Sequence, residues 1–203
     1  MTTAIIKDDN LSYAAEVLKR GGLVAVPTDT VYGLAGNGLD AKAVSKIYEI
    51  KGRTAVKPLI LLIPDIDFAE LVCAEIPEAA RRLAKEFWPG PLTLVLPRSG
   101  AVPDIVTASG NTVGIRSPDH PKTLELLRLA GVPAAAPSAN ISGMPSPISA
   151  EDVMAYFDGK IDCIIDGGKC ALGLESTIID LTVQPYGILR QGALPEEKIR
   201  RVL

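Results

Sequence analysis

The sequence predicts an α/β domain built on one twisted, mixed sheet flanked by helices. Two observations carry this. Short apolar runs of strand length alternate with segments of helical period from end to end. The last three apolar runs then follow one another without intervening helices, which implies some antiparallel pairing and a sheet with both strand senses. A chain of 203 residues suits one compact domain, and no repeat, low-complexity tract or linker divides it, so residues 1–203 are expected to form a single unit. At this size folding buries about 70% of the unfolded surface, enough core to need no disulfide or metal staple.

The elements can be justified in order. Leu11, Ala14, Ala15 and Leu18 recur at helical spacing, and Gly21–Gly22 stops that helix. Leu23–Val26 is a short buried strand ended by Pro27. Ala43–Ile50 reads as a helix stopped near Gly52, and Leu59–Ile63 as a wholly apolar strand. Pro77–Phe87 is helical, with proline tolerated in the first turn, and Pro89–Gly90–Pro91 breaks it. Strands at Leu92–Leu96 and Thr112–Arg116 flank a loop rich in Gly, Ser and Asp. Helix Pro121–Leu129, strand Val132–Ala136 and helix Ala150–Phe157 follow. Strands near Cys163–Ile165, Thr177–Leu181 and Gly187–Arg190 precede a short C-terminal helix.

Composition narrows the function classes. Apolar residues at 47% and charged residues at 22% exclude disorder, collagen and coiled coil. No apolar run reaches the roughly 18 residues of a membrane span, and the N-terminus lacks the order of a signal peptide, so a cytoplasmic location is expected. The net charge of −3 argues against whole-chain attraction to nucleic acid, while leaving room for a local basic cleft. Cys73, Cys163 and Cys170 form no CxxC pair, and His120 is the single histidine, so no zinc cluster is expected. The cysteines read as buried thiols in a reducing compartment.

Three segments, two at strand ends and one at a helix end, are richer in polar groups than a turn requires. Pro27–Leu34 follows a buried strand and carries Thr28, Asp29 and Thr30, at the end of a strand where α/β proteins tend to bind ligands. Lys51, Arg53 and Lys57 place three cations within seven residues, enough to neutralise a polyphosphate or carboxylates. Ala136–Gly143 offers Ser138, Asn140 and Ser142 and continues to Ser146, a set that binds phosphate or ribose oxygens without adding charge. Each segment has a plainer reading too: a hydrogen-bonded strand cap, a helix C-terminus suited to its dipole, and an Asx or Ser turn. Shorter pieces add Thr112, Gly114 and Arg116 on one strand face, a strand opening at Gly173–Thr177, and Arg190 at the end of the last strand. An arginine at such a strand end also reads as a salt-bridged edge residue.

Other chemistries fail. Gly167–Gly168–Lys169–Cys170 lacks the spacing and hydroxyl of a P-loop, and neither GxGxxG nor GxSxG occurs. One histidine, placed before a helix, makes a Ser-His-Asp site improbable. What remains is Lys, Arg, Thr, Ser and Asn, groups that position anions.

Taken in order, PTDTVYGL, KGR, KPLILLI, FWPGPLTLVL, TVGIRSPDHP, APSANISGMPSP, GLESTIIDL and ILRQGAL resemble the YrdC-type threonylcarbamoyl-AMP synthase family, over about residues 10 to 195. The resemblance implies a YrdC-like fold with a concave, locally positive face, and the short, single-domain form of the family. It implies that L-threonine, bicarbonate and ATP are joined into threonylcarbamoyl-adenylate with release of pyrophosphate. Transfer machinery then passes the threonylcarbamoyl group to adenosine 37 of tRNA, with weak tRNA contact at this protein an open expectation. By similarity, Lys51 and Arg53 are catalytic. Arg53, Lys57, Thr112, Ser138, Asn140, Ser146 and Arg190 contact ATP, with Lys57 where relatives often carry Asn. Thr30, Arg116, Ala136 and Ser176 hold threonine, and Leu62 stands where many relatives have a histidine. Mg²⁺ is expected with ATP, without direct side-chain ligands. Two other readings stay open: an RNA-binding module of the same fold without catalysis, and a related enzyme handling another carbamoyl-adenylate.

Overall fold

The computed structural model describes residues 2–7, 11–53 and 57–203. Strand β1, Ala4–Ile6, leads to helix α1, Ser12–Lys19, whose Ala14, Ala15, Val17 and Leu18 are buried as their spacing requires. Strand β2, Val24–Val26, is buried throughout. Strand β3, Gly33–Asn37, follows within the segment read above as a polar strand-end loop. Helix α2, Ala41–Ile50, starts where the Asp40 carboxylate accepts the Lys42 N–H. Strand β4 is Ile60–Leu62, and a 3-10 turn spans Asp67–Leu71. Helix α3 is Glu78–Phe87, with Pro77 as its cap. Strand β5, Leu92–Pro97, and β6, Thr112–Arg116, flank the four-residue helix α4, Asp104–Thr107.

Helix α5, Pro121–Ala130, opens on proline and closes on Gly131 in the left-handed region at φ +63°. Strand β7 is only Ala134–Ala135. Helix α6, Ala150–Phe157, has a capping box of Ser149 and Asp152. Strands β8, Cys163–Ile165, β9, Thr177–Asp180, and β10, Gly187–Arg190, precede helix α7, Glu196–Arg200.

Among the described residues the strands form one sheet in the order β1-β8-β2-β3-β7-β4-β6-β5-β9-β10. Four neighbouring pairs are parallel and five antiparallel, so the sheet is mixed as expected. Of the last three strands only β9 and β10 pair; β8 lies far away, between β1 and β2. Proximity in sequence did not translate into adjacency there, because β8 finds its partners in the apolar strands of the N-terminal part.

The two faces are covered unequally. On one, Leu61, Leu94, Ile115 and Ile179 join the larger core with residues of α2, α3, α6 and α7. On the other, Val24, Val26, Ala35, Leu62, Ala134, Cys163 and Ile165 pack with α1 and α5. That smaller core stops near β4. Beyond it the same face continues through registered rows: Leu62 beside Arg116, Ile60 beside Gly114, and Thr93 beside Ile178. Ile60, Leu62, Arg116 and Ile178 there line a cavity. The cysteines are free and buried, with burial pushing the Cys73 and Cys163 thiols up to about 12. No helix among the described residues is long and apolar enough to cross a membrane.

Leu94, fully buried in β5, tests this packing. Leu94→Ala is expected to cost about 2–5 kcal/mol by chemical denaturation. A loss near zero would contradict its place in the core.

Candidate active site

The cavity, about 290 Å³, is lined by residues of all three polar segments, the helix-end one contributing Arg53. They are tied together by backbone bonds. Leu34 donates its N–H to Pro137 O and Ala139 donates to Tyr32 O, joining the loop after β2 to the loop after β7. Leu172 N–H to Asp29 O and Gly173 N–H to Thr30 O join it to the segment before β9. Tyr32 pins a further loop, donating its hydroxyl to Gly168 O at 2.8 Å and accepting the Gly167 N–H at 3.1 Å. Burial raises that phenol to about 12, so it stays protonated.

Within the first loop Thr28 Oγ1 accepts the N–H groups of Thr30 and Val31 and donates its own proton to Val31 O at 2.6 Å. Thr30 Oγ1 lies 2.9 Å from Thr28 Oγ1 and accepts from Arg116 Nη1 at 2.8 Å. The arrangement holds the Thr30 hydroxyl in position between Thr28 and Arg116.

Arg116 ends β6 on the cavity side with only 6% of its side chain exposed. Burial disfavours its charge, and Asp29, itself 10% exposed, opposes that penalty through a direct ion pair. Arg116 Nε donates to Gly90 O at 2.9 Å. Asp29 Oδ1 also accepts the Asp119 N–H, while its buried Oδ2 has no hydrogen-bond partner. Arg190 is built similarly at the end of β10. It is ion-paired with Glu175 and donates Nε and Nη2 to Ser176 O at 3.0 and 2.9 Å. Ser176 Oγ takes a third bond from Arg190 at 3.1 Å and lies 2.8 Å from Thr93 Oγ1.

Of the residues singled out from sequence, Arg53, Ser138, Arg190, Thr30, Arg116, Ala136, Ser176 and Leu62 line this one cavity. Lys51, Lys57, Thr112, Asn140 and Ser146 do not. Lys51 is buried at the end of α2, and its ammonium donates to Ser138 O at 2.5 Å and Asn140 O at 2.6 Å. It therefore holds the Ser138–Asn140 loop from behind. Asn140 closes the same loop, donating Nδ2 to Ile141 O and Met144 O and accepting from Ser138 Oγ. Lys57 is exposed, while Thr112 and Ser146 are partly exposed elsewhere. His120 caps α5 outside the cavity, its neutral form favoured by burial.

Sequence reasoning assigned no role to Asp29, Glu175 or Thr93. The first two lay inside segments already singled out, and their signal was an acid beside hydroxyls in a strand-end loop that also had to accommodate a buried arginine. Among the described residues no group of three or more His, Cys, Asp or Glu is placed to hold a metal.

Two consequences can be measured. Asp29→Ala strands a buried guanidinium, so stability should fall by about 3–5 kcal/mol in urea denaturation; an unchanged midpoint would show that the pair is not closed in solution. Burial, then the nearby Arg53 charge, lowers the Lys51 ammonium from 10.5 to about 8. Between those values the unfolded chain holds a proton that the folded chain has released, so the Lys51 contribution is fully present above pH 10.5 and is lost as pH falls through 8. The stability of the wild type relative to Lys51→Met should therefore climb from pH 8 to 10.5, and a flat difference would contradict it.

Known proteins can be set beside this geometry. The family model Sua5_yciO_yrdC, described as telomere recombination, matches residues 16–192. A threonylcarbamoyl-AMP synthase of Pyrococcus abyssi is 52% identical over 198 residues, 98% of this chain and 58% of that protein. One of Bacillus subtilis is 47% identical, over 97% of this chain and 57% of that protein. The chain thus spans a little over half the length of these relatives. The crystal structure of P. abyssi Sua5 complexed with L-threonine superposes with a TM-score of 0.96 at 50% identity, over 100% of this chain and 61% of the other. The chain therefore belongs to the Sua5/YciO/YrdC family.

Proposed function

We propose that this domain makes threonylcarbamoyl-AMP from L-threonine, bicarbonate and ATP, releasing pyrophosphate. One observation carries the reading: a single cavity gathers Thr30, Arg116, Ala136 and Ser176, the threonine set the family resemblance implies, with Arg53, Ser138 and Arg190 from the implied ATP set. The P. abyssi relative, half identical to this chain, is described in complex with L-threonine. The threonine amine captures bicarbonate, and the resulting N-carboxylate attacks the α-phosphorus of ATP as pyrophosphate leaves. No enzyme nucleophile is required. The protein aligns the reactants and offsets developing charge.

The cations divide this work. Arg116 is already neutralised by Asp29, so it presents oriented donors suited to a zwitterion's carboxylate and less to a phosphate. Arg53 has no ion-pair partner among the described residues and lines the cavity, so it serves the polyphosphate together with exposed Lys57. Lys51 acts by holding Ser138 in place, and Thr112, Asn140 and Ser146 stand around the nucleotide region as ATP contacts or supports. With one carboxylate on the cavity wall and no cluster of acids among the described residues, Mg²⁺ would be carried by ATP rather than ligated by side chains; when bound it would shield the phosphate charge. Leu62, beside Arg116 in register, gives the amino-acid end an apolar wall.

Domain and product then fit a cytoplasmic supply of activated threonylcarbamoyl for transfer to tRNA by separate machinery. Pyrophosphate release should require both threonine and bicarbonate, and Arg53→Ala should lower kcat by on the order of 10²-fold or more. ATP binding without release would point to another carbamoyl-adenylate chemistry. RNA binding with steep salt dependence and no nucleotide binding would favour the module without catalysis.

A further inference from the structure

We propose that Glu175 is the proton acceptor for the substrate amine, a role that rests on the synthase reading above. Threonine arrives as an ammonium, which has no lone pair, and it must lose a proton before nitrogen can bond to carbon. The cavity wall is nearly devoid of bases. The guanidinium groups of Arg53, Arg116 and Arg190 carry donors and no acceptor, the Thr and Ser hydroxyls are too weakly basic, and the Tyr32 phenol is held protonated by burial. Among the described residues lining the cavity, Glu175 is the single carboxylate.

Its placement suits the task. Glu175 adjoins Ser176, and its side chain is 41% exposed, unlike that of Asp29, which is shut away behind Arg116. Its backbone is fixed: Ala193 donates to its carbonyl at 2.9 Å, and a Cβ on Gly192 would collide with the Glu175 and Ser176 main chain, so glycine alone permits the approach. The carboxylate pairs with Arg190 in the ligand-free cavity. A nucleotide phosphate drawing Arg190 away would free that carboxylate beside the amino acid. The other charges facing it are Arg53 and Lys51 from the end of α2, and the Arg116–Asp29 pair from β6 and the first loop.

The step balances. An ammonium N–H bond breaks and its proton forms an O–H bond on Glu175. The nitrogen lone pair then bonds to the bicarbonate carbon, and a second N–H proton leaves with the displaced hydroxide as water, giving the N-carboxylate. One of its oxygens bonds to the α-phosphorus while the bond to the bridging oxygen breaks, and pyrophosphate carries away that electron pair. Glu175 returns its proton to solvent.

The test is pyrophosphate release by wild type, Glu175→Gln and Glu175→Asp across pH, with ATP affinity and denaturation midpoints measured alongside. Glutamine should lower kcat by about 10²–10⁴-fold near neutrality. It should leave ATP affinity unchanged or tighter, because Arg190 loses a competitor. Its deficit should shrink about tenfold per pH unit as free amine accumulates in solution. Aspartate should restore part of the rate with the wild-type pH profile, and it carries the test if the glutamine variant does not fold. A pH-independent loss would mean that Glu175 only orients Arg190, and near-wild-type turnover would mean that bicarbonate or water takes the proton; either overturns the proposal. Wild type showing no threonine- and bicarbonate-dependent release would instead overturn the synthase reading, and this role with it.

Discussion

The site depends on a buried guanidinium. Arg116 sits at the end of β6, on a stretch of sheet that α1 and α5 leave uncovered, with almost none of its side chain in water. A charge so placed is stable only if paired and fully bonded. Asp29 supplies the charge, Thr30 and Gly90 supply the acceptors, and Gly90 comes from a part of the chain far from the Asp29–Thr30 loop. Satisfying one arginine therefore fixes the loop after β2 and the turn before β5 against the same strand. The loops after β7 and before β9 are bonded to that first loop, so its position propagates around the cavity.

The same physics explains why the cations of this cavity are not equivalent. Two arginines have private carboxylates, and the buried lysine is spent on two loop carbonyls. Arg53 has no ion-pair partner among the described residues. A chain with net charge −3 can thus present one strongly attractive point to an anion without a basic surface. Compensation also limits misbinding, since a phosphate entering the Arg116 end would have to face Asp29 as well.

Sequence made the fold class legible through periodicity, and helices α2, α3 and α6 fall close to where their apolar spacing put them. Strand β3 was hidden because Gly33–Asn37 contains two glycines and no β-branched residue; it exists through its ladders with β2 and β7. Strand β8 was found, but its neighbours were not, since register with β1 and β2 is a long-range property. Within the site, motif order gathered seven predicted positions around one cavity. Lys51 shows the limit: a cation near other cations suggests anion binding, and only burial reveals that its ammonium faces carbonyls. Asp29 and Glu175 were passed over because acids in a predicted anion site look unfavourable until the arginines they neutralise are seen beside them.

This pairing gives the two acids opposite functions despite matching chemistry. Both contact an arginine at a strand end, yet Asp29 is enclosed and Glu175 is half open. An enclosed pair cannot exchange partners without exposing a bare charge, so Arg116 is a permanent fixture. An open pair exchanges at little cost, because water screens both partners during the swap. In the proposed reaction Arg190 moves from Glu175 to a phosphate, while Arg116 stays as the fixed contact for the amino acid. In the proposed reaction that asymmetry sets an order of events: nucleotide binding uncovers the carboxylate, and the amine then meets a base only when ATP is already present to trap the N-carboxylate it forms.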